Sequence, residues 1–296
     1  MVIPPRFAQV MHEIYPEQAS AWLTGLPERL ADLEQRWSIQ IGPPFPNLSY
    51  HYVAPARRAD GTPVVLKLGV PNPGLTASIE ALRWLDGRGV AQLLESDPEQ
   101  GTLLIERLEP GRPLTALDDD DRATAIAAQV MQRLWRPLPA RHSFDTAADR
   151  AAELGGLRAR FAGGTGPLPA ALVAQAEGLF RDLLASSAAP VLLHGDLHHD
   201  NILSARRWPW LAIDPQGVAG EPCFEVGCLM RNPRPQPARI LARRADILSE
   251  QLGFDRRRIL AWSLAISVLS AWWSVEDHEQ DWEDAIAMAE AMAQLI

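Results

Sequence analysis

Between Val191 and Ala212 the chain stops reading as helix. Two short apolar runs, Val191-Leu-Leu and Trp210-Leu-Ala-Ile, frame the polar stretch His194-Gly-Asp-Leu-His-His-Asp-Asn and lead into Asp214-Pro-Gln-Gly. On both sides the sequence is Ala- and Leu-rich with helical spacing, predicting helices over 121–134, 147–161 and 168–184, then from about Pro237, Asp255 and Asp281. A polar loop held between short strands inside a helical region demands an α+β fold, and it concentrates chemistry-bearing residues at one place.

The first third has a different character. Residues 15–37 carry Trp22, Leu23, Leu26, Leu30, Leu33 and Trp37 at helical spacing, with Pro27 expected to break or kink the helix. Strand-like alternation follows over 37–41 and 49–55, then a hairpin ending at Val64–Leu68 after the turn Arg58-Ala-Asp-Gly-Thr-Pro. A short helix over 76–87 and strands over 89–96 and 102–108 complete a small sheet with one inserted helix. The expected organisation is two-lobed: a small β-rich N-terminal lobe with a leading helix over 1–108, a hinge near Glu106–Gly111, and a larger, mostly helical lobe over 109–296.

Composition narrows the partners. A formal charge of −9 argues against nucleic acid, whose backbone demands a basic surface, and is compatible with a small cationic ligand. Cys223 and Cys228 are too few and too close for a disulfide framework. The N-terminus lacks a basic start followed by an apolar core, and no run of about 18 apolar residues is evident, so a cytoplasmic protein with no membrane span is expected. Of 28 basic residues all are arginine except Lys67. Either this lysine is incidental to a Lys-poor composition, or it does something a guanidinium cannot.

Asp196 and Asn201, five apart on one loop, can face one cavity, and Asp214 at the end of the next apolar run can join them. One carboxylate to accept a hydroxyl proton, two hard oxygen ligands for magnesium and a point charge such as Lys67 for phosphates are the requirements of phosphoryl transfer from a nucleotide.

The pattern His194-Gly195-Asp196 with Asn201 resembles the protein-kinase-like fold in its aminoglycoside phosphotransferase branch. The segments DGTPVVLKLGVP, LDGRGVAQLLESD, LLIERLEPGRPL, LHGDLHHDNIL, WLAIDPQGVAGEPCFEVG and LMRNP, in order from about Phe45 to Pro233, resemble the streptomycin 6-phosphotransferase and hydroxyurea phosphotransferase family. The resemblance implies ATP and Mg2+ as cofactors, Asp196 as catalytic base, Asn201 and Asp214 as metal ligands, and Lys67 as the phosphate-binding lysine with Glu80 as its ion-pair partner. It implies that the backbone of Glu106 and Leu108 holds adenine and that the loop containing Asn47 and Ser49 covers the phosphates. Three departures stand out. The loop IGPPFPNLSY has a single glycine, Pro215 follows Asp214 where protein kinases have Phe-Gly, and Glu225 stands where relatives show an aspartate bracing the catalytic loop.

Other readings compete. His194, His198 and His199 with Asp196 and Asp200 could form a metallohydrolase site, although no zinc-ligand spacing is present. The run Asp118–Asp121 reads as a helix start or a metal cluster. For the acceptor, Glu276, Asp277, Glu279, Asp281, Glu283 and Asp284 follow Trp272 and Trp273. Carboxylates beside tryptophan suit guanidinium or ammonium groups, as streptomycin carries; the same residues could equally be a solvated helix start. Trp273, Glu276 and Asp277 are the first candidates for the acceptor site, with His199 and Glu221. A neutral acceptor such as hydroxyurea, or a metabolite, would not need the acids.

Overall fold

The computed structural model describes residues 3–46, 48–233, 235–277 and 281–296; Asn47 and Glu279 therefore lie outside the described residues. The chain divides into two compact units, Met1–Gly111 and Arg112–Ile296.

The first unit opens with α1 (Pro5–Ile14) and α2 (Ala19–Arg36), followed by β1 (Ile39–Ile41), β2 (Tyr52–Arg58), β3 (Pro63–Leu68), α3 (Pro73–Leu85), β4 (Leu93–Asp97) and β5 (Thr102–Glu106). The five strands form one sheet in the order β1-β2-β3-β5-β4, every neighbouring pair antiparallel. The side chains of α1 and α2 supply Phe7, Met11, Trp22, Leu26, Leu30 and Leu33 to a core shared with Tyr52, Leu66 and Leu68 of the sheet. Phe7 meets both Trp22 and Tyr52 edge-on, at 6.2 and 6.3 Å between ring centroids. Helix α1 was not anticipated, although Phe7, Val10, Met11 and Ile14 stand at helical spacing. Of the break or kink expected at Pro27, the structure excludes the break. The helix runs through it, and the Arg29 guanidinium donates to the Trp22 carbonyl in the disturbed stretch.

The second unit carries α4 (Asp120–Leu134), β6 (Arg136–Pro137), β7 (Asp145–Thr146), α5 (Ala147–Ala152), α6 (Gly155–Arg160), α7 (Ala170–Ala185), β8 (Val191–Leu193), β9 (Ile202–Ser204), β10 (Trp210–Ala212), β11 (Val218–Gly220), α8 (Pro222–Met230), α9 (Ala238–Leu252), α10 (Arg256–Glu276) and α11 (Trp282–Ala293). The single helix expected over 147–161 is split near Gly155-Gly156, where two glycines weaken the helix. At the start of α4, Asp119 caps the Arg122 N–H, Asp120 pairs with the buried Arg244 and Asp121 with Arg243, so the acidic run is a helix start with ion pairs.

Helix α10 amends the expectation that no stretch is apolar enough to span a membrane. By length and composition it is, but 83% of its most apolar window is buried. It is the core helix of this unit, apolar on all sides because α7, α8, α9 and α11 surround it.

Candidate active site

Two ladders bring the chemistry together. Strand β8 pairs antiparallel with β11, and β9 pairs antiparallel with β10, so the loop 194–201 and the loop 213–217 emerge side by side. Backbone bonds tie them: Ile213 N–H donates to Asn201 O at 2.9 Å, and the amides of Gln216 and Gly217 donate to His194 O at 2.8 and 3.1 Å. Gly195 sits at φ +86°, and a Cβ there would lie 2.5 Å from Val218 Cγ2, so this position admits only glycine. Asp214 also adopts a left-handed backbone, φ +62°, a region that aspartate enters more readily than most non-glycine residues.

Buried side chains hold the loop from below. Glu225 of α8 accepts the amide hydrogens of His194 at 2.5 Å and Gly195 at 3.1 Å. Its burial pushes the carboxyl up to about 7, against the lowering effect of the amides of His194, Gly195 and Leu197. Glu225 thus braces the loop, as the sequence suggests, and touches no reacting atom. His194 is fully buried and neutral, pushed down to about 4 by desolvation. Its Nε2 bonds the Ile213 carbonyl at 2.7 Å, and its Nδ1 accepts the Asp196 N–H at 3.3 Å. Cys228 lies against the Gly195 carbonyl at 3.7 Å, and burial raises both cysteine thiols.

Asp196 is accessible and charge-paired. One oxygen, Oδ1, bonds Arg231; the other, Oδ2, lies 3.8 Å from His198 Nε2. Asn201 donates its amide nitrogen to the Asp196 carbonyl at 3.0 Å, which leaves Oδ1 as the atom for a cation. With Asn201 and Asp214 on tied neighbouring loops, the donors are two hard oxygen groups, which suits Mg2+ shared with phosphates and water. Among the described residues no group of three or more His, Cys, Asp and Glu could hold a metal ion, and of the histidines of the hydrolase reading His194 and His199 are buried, His194 Nε2 being engaged by the Ile213 carbonyl.

In the first unit Lys67 is 6% exposed on β3, in register with Val53 of β2 and Leu103 of β5, and Glu80 lies half-buried on α3. The loop between β1 and β2 folds back on β2 through Gly42 N–H to Pro55 O and Phe45 N–H to Val53 O, at 2.8 and 2.9 Å. Backbone pairing thus shapes the segment containing Ser49 without the glycines of a protein-kinase loop. Glu106 ends β5 and bonds Gln92 through its backbone N–H at 2.8 Å and its side chain at 3.1 Å; Leu108 is buried.

The acceptor candidates separate. His199 is turned into the interior, 2% exposed, near Arg244 and Asp120, and pushed down to about 4 by burial; it is His198 that flanks Asp196. Glu221 is likewise buried, bonded to Arg258, the Trp262 indole and the Ala188 amide, and is a structural anchor rather than an acceptor contact. Trp273 has its ring under Arg231, 5.7 Å away, and gives its Nε1–H to Glu153 at 2.6 Å, so one face and its polar edge are already engaged.

The acidic cluster falls into two parts. Glu283 and Asp284 occupy the first turn of α11, where the dipole favours them. Glu276 and Asp277 stand at the C-terminal end of α10, where the dipole opposes them. Burial, Asp277 and Glu153 together raise the Glu276 carboxyl. Glu153, Arg231 and the Asp120–Arg244 pair were missed by sequence reading because their partners are distant in the chain.

The arrangement is that of a protein-kinase-like fold used on small molecules. An aminoglycoside phosphotransferase solved with ADP and hygromycin B superimposes with a TM-score of 0.64 over 90% of this chain and 96% of its own, at 14% identity. A family model described as aminoglycoside/hydroxyurea antibiotic resistance kinase matches residues 36–278, and the chain belongs to that family. It is 32% identical to a streptomycin 6-kinase of Streptomyces glaucescens, over 98% of this chain and 96% of that protein. It is 36% identical to a hydroxyurea phosphotransferase of Kitasatospora aureofaciens, over 98% and 85%. The chain is a phosphotransferase that acts on a hydroxyl group.

Proposed function

We propose that this enzyme transfers the γ-phosphoryl group of ATP to a hydroxyl of streptomycin or a closely related cationic aminoglycoside, in the cytoplasm. The observation that carries the acceptor class is the set of carboxylates Glu153, Glu276 and Asp277. Glu276 and Asp277 stand at a helix end whose dipole disfavours them, and burial with the charges of Asp277 and Glu153 raises the Glu276 carboxyl, a cost that a bound guanidinium would offset. The named activity of the streptomycin 6-kinase relative agrees with this.

In this reading Asp196 accepts the hydroxyl proton, and Asn201 Oδ1 with the Asp214 carboxylate holds magnesium. Bound there, Mg2+ supplies charge neutralisation on the phosphate oxygens. Lys67, with Glu80 as its partner, anchors the α- and β-phosphates. Asn47 and Ser49 cover the phosphates, and the backbone of Glu106 and Leu108 contacts adenine. Trp273 positions Glu153 beside Glu276 and Asp277.

The 36% identity to a hydroxyurea phosphotransferase favours a second reading, in which the acceptor is hydroxyurea and the acids serve nothing in binding. Magnesium-dependent ADP release separates the two, measured with streptomycin, other aminoglycosides, hydroxyurea and no acceptor, with Asp196→Asn as blank. Stimulation by streptomycin is the expected outcome. Stimulation by hydroxyurea alone would transfer the assignment to it, and turnover by Asp196→Asn would remove Asp196 as the base.

A further inference from the structure

Arg231 is the residue that most directly engages Asp196, and neither the loop pattern nor the charge requirements of the reaction called for it. It follows α8 in the segment LMRNP, 35 positions from the aspartate. Its Nη2 bonds Asp196 Oδ1, its Nη1 donates to Ser270 Oγ at 2.9 Å, and its guanidinium lies 5.7 Å from the Trp273 ring centroid. The side chain is 11% exposed. Ser270 and Trp273 both belong to α10, so the guanidinium is fastened to the core helix on one side and to the carboxylate on the other.

A general base needs a fixed carboxylate plane and one oxygen left for the proton. A lone surface ion pair supplies neither, because a long cationic chain retains its freedom in water. This arginine is anchored twice apart from the carboxylate and is mostly out of solvent. Asp196 Oδ2, by contrast, lies 3.8 Å from the imidazole of His198, beyond hydrogen-bond length.

We propose that Arg231 is a positioning residue for proton transfer: it pins Oδ1 of Asp196 so that Oδ2 takes the acceptor proton. Through Ser270 and Trp273 it suspends the base from the helix that ends in Glu276 and Asp277. In the step itself the acceptor O–H bond breaks and its proton goes to Oδ2. The acceptor oxygen bonds the γ-phosphorus as the bond from that phosphorus to the β–γ bridging oxygen breaks, its electron pair leaving with ADP. Oδ2 then returns the proton to solvent. The inference rests on Asp196 being the base.

The test is steady-state kinetics of Arg231→Gln, Arg231→Lys, Arg231→Gly and Ser270→Ala with whichever of streptomycin or hydroxyurea supports the higher wild-type turnover, alongside melting temperatures and Asp196→Asn. Misplacing a catalytic group by about 1 Å costs on the order of 10²-fold, so Arg231→Gln should lower kcat by about that factor with both KM values within about threefold. Arg231→Lys should restore part of the loss, free guanidinium ion should partly rescue Arg231→Gly, and Ser270→Ala should lower kcat by a smaller factor. Unchanged kcat in a folded Arg231→Gln overturns the proposal. So does a loss that appears equally in Arg231→Lys, is not relieved by guanidinium and follows the melting temperature. If Arg231→Gln and Arg231→Gly fail to fold, Ser270→Ala decides: a kcat loss at constant KM supports the proposal and an unchanged kcat overturns it. Turnover by Asp196→Asn would instead refute the base assignment.

Discussion

The loop 194–201 and the acidic edge formed by Glu153, Glu276 and Asp277 are both polar, yet they are built in opposite ways. In the loop most polar groups are tied, the buried ring nitrogens of His199 excepted. Glu225 takes two amides, His194 uses both ring nitrogens, Asn201 bonds back to the Asp196 carbonyl, and Arg231 holds the carboxylate. At the edge Glu153 is fixed by Trp273 and Arg150, at 2.6 and 3.2 Å, while Glu276 and Asp277 project from a helix end into solvent. Proton transfer tolerates little displacement and needs a rigid mount. Attraction of a cation works across water over several ångströms and needs only charge of the right sign.

The largest effect should come from the mount. Glu225→Ala leaves two buried amides without an acceptor, and the expected destabilisation is about 3 kcal/mol, read from a denaturant midpoint. Glu225→Gln, which keeps an acceptor oxygen, should lose less. Equal stability of all three proteins would mean that the loop is held elsewhere.

The edge should respond differently. Glu276→Gln combined with Asp277→Asn should raise the KM for streptomycin about five- to tenfold, on the order of 1 kcal/mol, with the ATP KM unchanged. Added salt should raise the wild-type value in the same direction. An unaltered KM would reduce the edge to solvated surface and leave the loop as the only functional polar region.

The smallest effect at neutral pH is expected at His199. Unfolded, its imidazole binds a proton near 6.5; folded, burial holds it neutral down to about 4. The unfolded state therefore takes up more protons in that window, so stability falls as pH drops from 6.5 to 4 and flattens below it. His194 acts with the same sign. Glu225, raised to about 7, acts oppositely between 4.5 and 7. His199→Leu should flatten the melting temperature against pH by one proton's contribution, since the other two groups remain in both proteins. Parallel curves would mean that the buried imidazole does not control acid stability.

Most elements were legible because their apolar residues repeat at 3.6 or 2 positions; α2, α4, α7, α9 and α10 begin or end within a few residues of expectation. Helix α8 was not anticipated, since every residue of it after Pro222 is buried and no polar face marks a period. The histidines could not be sorted from sequence either. His198 and His199 are adjacent, and a one-residue change of direction in a tight turn sends one to Asp196 and the other to the interior.

The spacing of Asp196, Asn201 and Asp214 within apolar frames, with Lys67 and the ordered family-like segments around them, indicated the reaction, because that chemistry needs few residue types at short, fixed separations. The tertiary structure alone added Glu153 beside Glu276 and Asp277, turned Glu221 into the interior and showed what holds Asp196. Glu153 meets Trp273 across 120 positions, Arg244 meets Asp120 across 124, and Arg231 meets Asp196 across 35. Whether a carboxylate lies at the favourable or unfavourable end of a dipole, and which cation reaches it, depends on groups that local pattern cannot bring together.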